Sequence, residues 1–532
     1  MDTQDSGAPK TVFGIDLGTT YSCIAYVDQY GKATVIPNAE GDLITPSVVL
    51  FEPNSRVVGK EAKNTAVLSP EHVVSMIKRE MGSSDYTFEY AGQDYRPQEI
   101  SSYILKKVAQ DAEQAIGQPV SDVVITCPAY FGEAEREATR AAGELAGLNV
   151  RGIINEPTAA AIDYSMHESF SGESGRDRVA MVYDLGGGTF DVTVIQMREN
   201  MIQVIATGGD HRLGGRDWDL EVVHYLADEW RKANPDGSDP LDSLETQQDL
   251  WQKAEAAKRA LTARDETRVP VVHDGITQSV TLTRQQFDDL TRGKLEQTIQ
   301  FTRETLGIAK TKGVEGFDVL LLVGGSTRMP QVRERLQQEF PGSEIKTYDP
   351  DQAVAKGAAI YGLKLAIEEP GKGEFRPVLP PGTKLPDVKN VTSHSYGIEA
   401  VDTSRGDQTI IFNLVVAQTP VPAHAMHSFG TRAANQQSAV ITVYQNDERE
   451  EKVDDLTLGQ QIAEATLSLP SGLPARSEIE VVCTIDEQGM LVITAKETSH
   501  GGTIDVQVDV KGALTPAEME EARKRSEALT VN

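Results

Sequence analysis

The sequence predicts two unlike regions, an α/β region over residues 11–369 and a mostly antiparallel β region over residues 391–511, and three observations carry that reading. Up to Glu369 short apolar strands alternate with amphipathic helices, as where Val123, Val124, Ile125 and Thr126 precede a helical stretch over 132–145. Residues 370–390 then hold Pro370, Gly371, Gly373, Pro377, Pro380, Pro381, Gly382 and Pro386, a density that breaks helix and strand alike and reads as a linker. Beyond it a period of two takes over. Ile504, Val506, Val508 and Val510 point one way, Asp505, Gln507 and Asp509 the other, and 479–496 reads as a hairpin turning at Asp486, Glu487, Gln488 and Gly489.

The ends follow the same logic. Residues 1–10 are polar and lack an apolar core, so they are expected to be disordered. Thr515, Pro516, Ala517 and Glu518 form a capping box with proline at the first helical position, which predicts a charged helix running through Leu529 within a terminal segment 512–532.

At 532 residues, the chain is long enough for several domains and a large buried core. A net charge of −29 disfavours non-specific attraction to nucleic-acid phosphates or anionic lipid, so neither nucleic acid nor membrane is an expected partner. Cys23, Cys127 and Cys483 lie more than a hundred positions apart with no CxxC pair, which fits a reducing, cytoplasmic setting and no zinc site. No export signal and no run of eighteen apolar residues is present.

Within the α/β region a single pattern occurs twice. Phe13, Gly14, Ile15, Asp16, Leu17, Gly18, Thr19 and Thr20 are echoed 168 residues later by Val182, Tyr183, Asp184, Leu185, Gly186, Gly187, Gly188 and Thr189. Each reads as strand, Asp-Leu-Gly turn, then strand. Such a turn lines up backbone N–H groups and hydroxyls as a phosphate cradle, glycine permits close approach of the backbone, and Asp offers hard oxygen to Mg²⁺ or its waters. One copy equally reads as an ordinary hairpin. Two copies, the second with three glycines and Asp191 just beyond, suit two half-domains facing one cleft. A third piece is the buried strand 319–323, which ends in Gly324, Gly325 and Ser326, followed by Thr327 and Arg328, an edge fit for a flat ligand or a plain strand-to-helix turn. A fourth is Glu255, Lys258, Arg259 and Thr262, one face of a helix, which alone reads as a solvated face.

Five ordered motifs together carry a resemblance. The segments 14–20, 154–160 (Ile-Asn-Glu-Pro-Thr-Ala-Ala), 184–191, 323–328 and 349–359 closely resemble the actin-like ATPase domain of the DnaK-type, seventy-kilodalton heat-shock chaperones. The likeness continues past the linker, where 395–399, 435–440 and 492–497 are similar to the family's β-sandwich substrate-binding domain.

The resemblance implies an ATPase using ATP or ADP with Mg²⁺ and K⁺. It makes Lys78 the catalytic lysine; unaided, Lys78 reads as a surface helix residue. A cation aimed at the γ-phosphate would stabilise developing charge. Glu156, Asp184 and Thr189 join it as catalytic positions, and Asp16, Asp184 and Asp191 serve the metal mostly through water. Gly18, Thr19, Thr20, Tyr21, Gly186, Gly187 and Gly188 match the phosphate hairpins, while Glu255, Lys258, Arg259, Thr262, Gly324, Gly325, Ser326, Arg328 and Asp351 match the rest of the nucleotide pocket. Pro128 and Arg136 match the family's proline switch and its arginine partner; Pro128 otherwise reads as a strand terminator.

The chain departs from the family in three places. In the linker segment 383–390, Leu385 and Val388 remain apolar, but Pro386 removes a donor and Lys384, Asp387 and Lys389 cost burial, so docking on the ATPase is expected to be impaired. Ile398, Val401, Phe429 and Val440 match the peptide cleft, with sandwich core as the other reading. The loop between Phe429 and Val440 has one extra residue, leaving open whether Arg432 or Ala433 faces Val401, and Thr442 replaces an aliphatic residue. The helical lid is absent after its first helix, which predicts fast peptide release. His424 and His427 lack further ligands for a metal.

The expectation is an ATP-dependent chaperone holding exposed apolar segments of unfolded polypeptides, partnered by a J-domain cochaperone and a nucleotide exchange factor, and belonging to folding and stress response. The alternative is a nucleotide-switched binding or scaffold protein for one dedicated partner. A sugar kinase sharing the lobes would leave the β region without a role.

Overall fold

The computed structural model of the chain describes residues 11–170, 177–198, 200–368, 384–498, 505–507, 512 and 514–532. The 1–10 segment, most of the 370–390 linker, and Ile504, Val508, Asp509 and Val510 therefore lie outside the described residues.

The sequence echo is an architectural echo. In the first half, Val12–Asp16 and Tyr21–Val27 form an antiparallel hairpin, and Val12–Asp16 is flanked on its other edge by parallel Asp122–Cys127, then Asn149–Asn155. The second half repeats this plan. Arg178–Leu185 and Phe190–Arg198 form the hairpin, and parallel Val319–Val323, then Glu344–Thr347, flank its first strand. Every side chain of Val319–Val323 is buried, as a parallel strand covered on both faces requires.

The helices Glu156–Phe170 and Ala353–Glu368 cover these sheets and meet each other through small residues. A Cβ on Gly357 would lie 1.7 Å from the carbonyl oxygen of Ala159, so this crossing tolerates no side chain there. The alanine-rich composition of both segments thus serves close packing.

After the linker two antiparallel sheets share one core. Lys452–Val453, Gln408–Val415, Ser395–Asp402, Ser438–Asn446 and Gly459–Ser468 form the first, and Ala423–Gly430, Glu478–Ile485, Leu491–Glu497 and Asp505–Gln507 the second. Leu414, Val443 and Leu467 from one sheet and Val481, Cys483 and Ile493 from the other fill the interior. The hairpin expected over 479–496 pairs Ile479 with Glu497 and Ile485 with Leu491 around the expected turn.

Two expectations are corrected. Asp387–Lys389 adds as a parallel edge strand to Met201–Asp210, with Val388 opposite Ile202. Pro386 is buried just before the strand, where the pairing needs no donor from it; Asp387 is paired with Lys364 at 2.7 Å, and its N–H donates to Asn200 O at 2.7 Å. Pro386 and Asp387 are thus accommodated, while Lys384 and Lys389 remain exposed and need not be desolvated. The terminal helix, Pro516–Ala528, forms from its capping box, but it ends one residue before Leu529. The chain then turns extended, and Thr530–Val531 pairs with Ser55–Val58 of the first half.

The sandwich sits against both halves. Gln418 exchanges two bonds with the backbone of Thr207, at 3.1 and 2.8 Å. The Gln488 carbonyl accepts from Arg136 at 3.4 Å, and its side chain accepts from Arg140 at 2.8 Å. His394 faces Asp447 Oδ1 at 2.7 Å and the Tyr130 carbonyl at 3.0 Å.

Glu133, the first residue of the helix Glu133–Leu145, is covered at this junction, and Gln445 of the sandwich accepts its backbone N–H at 3.3 Å. Burial pushes its carboxyl up from 4.5 to about 8, against a weaker lowering by a backbone hydrogen bond at Leu491. An acid raised in the docked state binds its proton more tightly there. Its contribution is therefore complete below pH 4.5 and is lost as pH rises through about 8. Hydrogen exchange at the junction followed against pH should show docking weaken over that range in the wild type, and Glu133→Gln should flatten the dependence; equal slopes for both proteins refute it.

Candidate functional site

Between the two halves lies a cavity of about 450 Å³, within the range of small-molecule sites. The two glycine hairpins face each other across it. A Cβ on Gly188 would fall 2.3 Å from Thr19 Cγ2, and one on Gly187 2.3 Å from Thr20 Oγ1. The second turn's backbone lies that close to the Thr19 and Thr20 side chains because its glycines carry none of their own. Gly186 N–H donates to Thr189 O at 3.0 Å, closing the second turn, while Ser47 Oγ donates to Gly18 O at 2.7 Å and braces the first.

Lys78 sits on the 3₁₀ turn Ile77–Glu80 and is buried, contrary to its reading as a surface helix residue. It makes a short ion pair with Glu156, the first residue of its helix. Burial alone would lower the ammonium, but Glu156 and Asp16 outweigh it and raise its pKa. Asp184 and Asp191 are buried and Asp16 is half-buried, each near the end or start of a hairpin strand. Desolvation first, then repulsion from Glu156, raises Asp16 to about 7 and Asp191 to about 8, and raises Asp184 strongly. Thr126 Oγ1 donates to Asp16 at 3.2 Å, and Tyr130 N–H donates to Asp191 at 3.1 Å.

Four carboxylates share one lysine. Their excess charge fits a cation, and all-oxygen donors suit a hard ion such as Mg²⁺. Among the described residues no three candidate ligands come close enough to hold a bare ion, so such an ion would need water to complete its shell.

The opposite end of the cavity gathers the remaining pieces. Glu255, Lys258 and Arg259 lie on the helix Leu244–Leu261 and Thr262 caps it; all four line the cavity, so this face is not simply solvated. Tyr21 donates to Glu255 at 3.0 Å, Arg259 stands 5.1 Å from the Tyr21 ring, and Lys258 bonds Asp219 and the Gly215 carbonyl, both at 2.9 Å. Ser326 Oγ donates to Gly186 O at 2.9 Å, tying the third motif to the second hairpin. Gly324, Gly325, Arg328 and Asp351 also line the cavity, the last two paired at 2.5 Å.

Sequence reasoning missed four residues. Lys63 pairs with Glu255 and donates to Tyr21 at 3.0 Å. Arg79 donates to Gly188 O at 2.9 Å and pairs with Asp217, bridging the halves. Arg216 lies over Trp251, and burial lowers it to about 10. Asp219 holds Lys258. The available signal was Gly214-Gly215 at the start of the helix Gly215–Ala233, since a glycine pair at a helix start marks close approach; Lys63 had none.

Pro128 is buried after the strand Asp122–Cys127. Arg136 donates to Asn155 at 2.7 Å, to Phe131 O at 3.1 Å and to Ala129 O at 3.4 Å, wrapping the segment that follows Pro128. In the sandwich, Ile398 is core, Phe429 packs half-buried on Phe412, and Val401 and Val440 are 37% and 57% exposed, so those two are not core. Arg432 and Ala433 are both exposed, and Thr442 is buried. His424 faces Thr484 and His427 the Phe412 ring.

A two-halved α/β protein with a charged cleft between paired glycine hairpins, carrying a β-sandwich, is thus defined. The chain matches the model of the Hsp70 protein family over residues 12–89 and 84–532, and it belongs to that family. Family members are chaperones and ATPases that bind ATP or ADP with Mg²⁺, unfolded polypeptides and cochaperones. Among the described residues, no helix is long and apolar enough to cross a membrane.

A Cβ on Gly214 would lie 2.6 Å from the backbone of Gly188, which cannot yield without moving the second hairpin. Gly214→Ala is expected to cost about 1–3 kcal/mol and to weaken ATP binding. Gly293→Ala, at an open helical position, should do neither. Calorimetric melting and ATP titration compare the two; equal behaviour refutes the close-approach argument.

Proposed function

We propose that the chain is an ATP-dependent chaperone in which ATP hydrolysis in the 11–369 region controls peptide binding by the 391–511 region through the 370–390 linker. The observation that carries this reading is Lys78, buried on Glu156 at the meeting point of the two hairpins and surrounded by Asp16, Asp184 and Asp191. A lysine held there presents fixed positive charge where a terminal phosphate would enter, while Glu156 and Asp184 offer carboxylates to orient water. Thr19, Thr20 and Thr189 supply hydroxyls to the phosphates. Glu255, Lys258, Arg259, Ser326 and Arg328 enclose the adenosine end.

Asp16, Asp184 and Asp191 would hold Mg²⁺ mostly through water, with K⁺ beside them. When bound, such cations neutralise phosphate charge. The strand pairing of Asp387–Lys389 supports coupling, since the linker is continuous with the second half's sheet. Exposed Val401 and Val440 with half-buried Phe429 support an apolar peptide cleft. A J-domain cochaperone, a nucleotide exchange factor and a cytoplasmic setting complete the proposal.

Single-turnover ATP hydrolysis, with and without unfolded apolar peptides, tests it on the wild type, Lys78→Ala and Leu385→Asp/Val388→Asp. Peptide should stimulate the wild type. Lys78→Ala should lose about 10²–10³ in rate, as for removal of a preorganised electrostatic group. The linker variant should keep basal hydrolysis and lose stimulation. Hydrolysis that needs Lys78 yet ignores every generic peptide would instead support a switch serving one dedicated partner.

A further inference from the structure

Five cationic side chains line the cavity between the halves, and four of them are already paired with carboxylates. Lys78 holds Glu156, Lys258 stands 2.8 Å from Asp219, Arg259 3.0 Å from Glu255 and Arg328 2.5 Å from Asp351. Arg216 is the exception. It is half-buried and lines the cavity, yet among the described residues its guanidinium has no hydrogen-bond or ion-pair partner. What it has is an aromatic neighbour, with the guanidinium carbon 3.1 Å from the centroid of the Trp251 ring.

Its place follows from the chain around it. Gly214 lets the start of the helix Gly215–Ala233 press on the second hairpin, where Gly215 N–H donates to Gly186 O at 2.9 Å and Arg216 N–H to Gly187 O at 2.8 Å. The root of the Arg216 side chain is therefore pinned to that glycine turn. Trp251 comes from the helix Leu244–Leu261 and is half-buried. A π face attracts a guanidinium, but it leaves the planar fork of N–H donors without acceptors.

The carboxylates that act on Arg216 are already neutralised by others. Asp217 is held by Arg79 at 2.5 Å, Asp219 by Lys258 at 2.8 Å, and Glu255 by both Lys63 and Arg259. Burial is the main cause that brings the Arg216 pKa down to about 10, and the pull of Asp219 does not offset it. A partly desolvated guanidinium with no partner is costly until an anion reaches it, and paired phosphate oxygens match its fork.

We propose that Arg216 binds the polyphosphate chain of the ligand in the cleft, with Trp251 as the platform that holds its guanidinium beside the second glycine hairpin. This deepens the ATP reading of the cleft and rests on it. Lys78 then supplies charge from the first half and Arg216 from the second, so the phosphates are clasped from both sides. Lys258 does not take this part, because Asp219 and the Gly215 carbonyl already occupy its ammonium.

The test uses the full chain with Mg²⁺ and three probes: ATP, adenosine and inorganic tripolyphosphate. By calorimetric titration, Arg216→Met should lose at least about tenfold in affinity for ATP and for tripolyphosphate, the scale of a charge-assisted hydrogen bond, and keep its affinity for adenosine. Arg216→Lys, which keeps the charge but not the fork, should recover part of the loss. Should Arg216→Met fail to fold, Arg216→Gln carries the same comparison. ATP should also change the tryptophan emission of the wild type but not of Arg216→Met. Trp218 and Trp230 lie in the core, so the signal belongs to Trp251 and Trp251→Phe should remove it. Arg216→Met binding ATP as the wild type does overturns the proposal and leaves the ATP reading standing. An equal loss for adenosine overturns it as well, by assigning Arg216 to the adenosine end or to the packing of the two helices. Tripolyphosphate binding that needs Arg216, in a protein that takes up neither adenosine nor ATP, would support the role of Arg216 and overturn the ATP reading. A wild type that binds none of the three probes overturns both.

Discussion

The structure turns on how closely the two glycine hairpins approach across the cleft. With Gly187 against Thr20 and Gly188 against Thr19, backbone from one half lies where side chains would normally stand. That closeness fixes the distance between Asp16 and the Asp184–Asp191 pair, buries Lys78 beside Glu156, and sets the size of the cavity. The crowding of carboxylates is its electrostatic consequence. Three raised carboxyl groups and one lysine crowd one spot, the environment that the proposed binding of a polyanion with its cations would relieve, and an overall charge of −29 does not preclude such a local arrangement.

The same region is physically continuous with the sandwich. Asp191 accepts from the Tyr130 backbone, whose carbonyl faces His394; Ser393 bonds the Ala129 carbonyl; and Arg136, wrapped on Ala129 and Phe131, reaches Gln488 of the sandwich hairpin. Residues 127–136 thus touch the cleft on one side and the sandwich on the other, and Glu133 places a titratable carboxyl at the seam. This is a contiguous network of hydrogen bonds between the cleft and the sandwich.

The misreadings in the sequence have one physical origin. Pro386, Asp387 and the flanking lysines looked hostile to docking because their partners, Lys364 and the edge of Met201–Asp210, are distant in sequence. Lys78 looked like a surface residue because nothing nearby in the chain announces that Glu156, 78 residues away, will bury it. Lys63 and Arg79 were silent for the same reason. The tail offered a capping box and a charged helix, both local features and both present, while its strand Thr530–Val531 depends on an edge more than 450 residues earlier.

What the sequence by itself determined is therefore whatever is local or periodic: the strand-turn-strand echo at Asp16 and Asp184, the buried strand ending at Gly324, the alternating β region, and the helix caps. Glycine runs and hydrophobic periods dictate backbone conformation within a few residues, so they are legible without the fold. Only the tertiary structure decided which charges are buried together, how the linker and tail find sheet edges, and that Ile398 is core while Val440 faces outward. Those outcomes depend on desolvation and on pairing between segments hundreds of residues apart, and no local pattern encodes them.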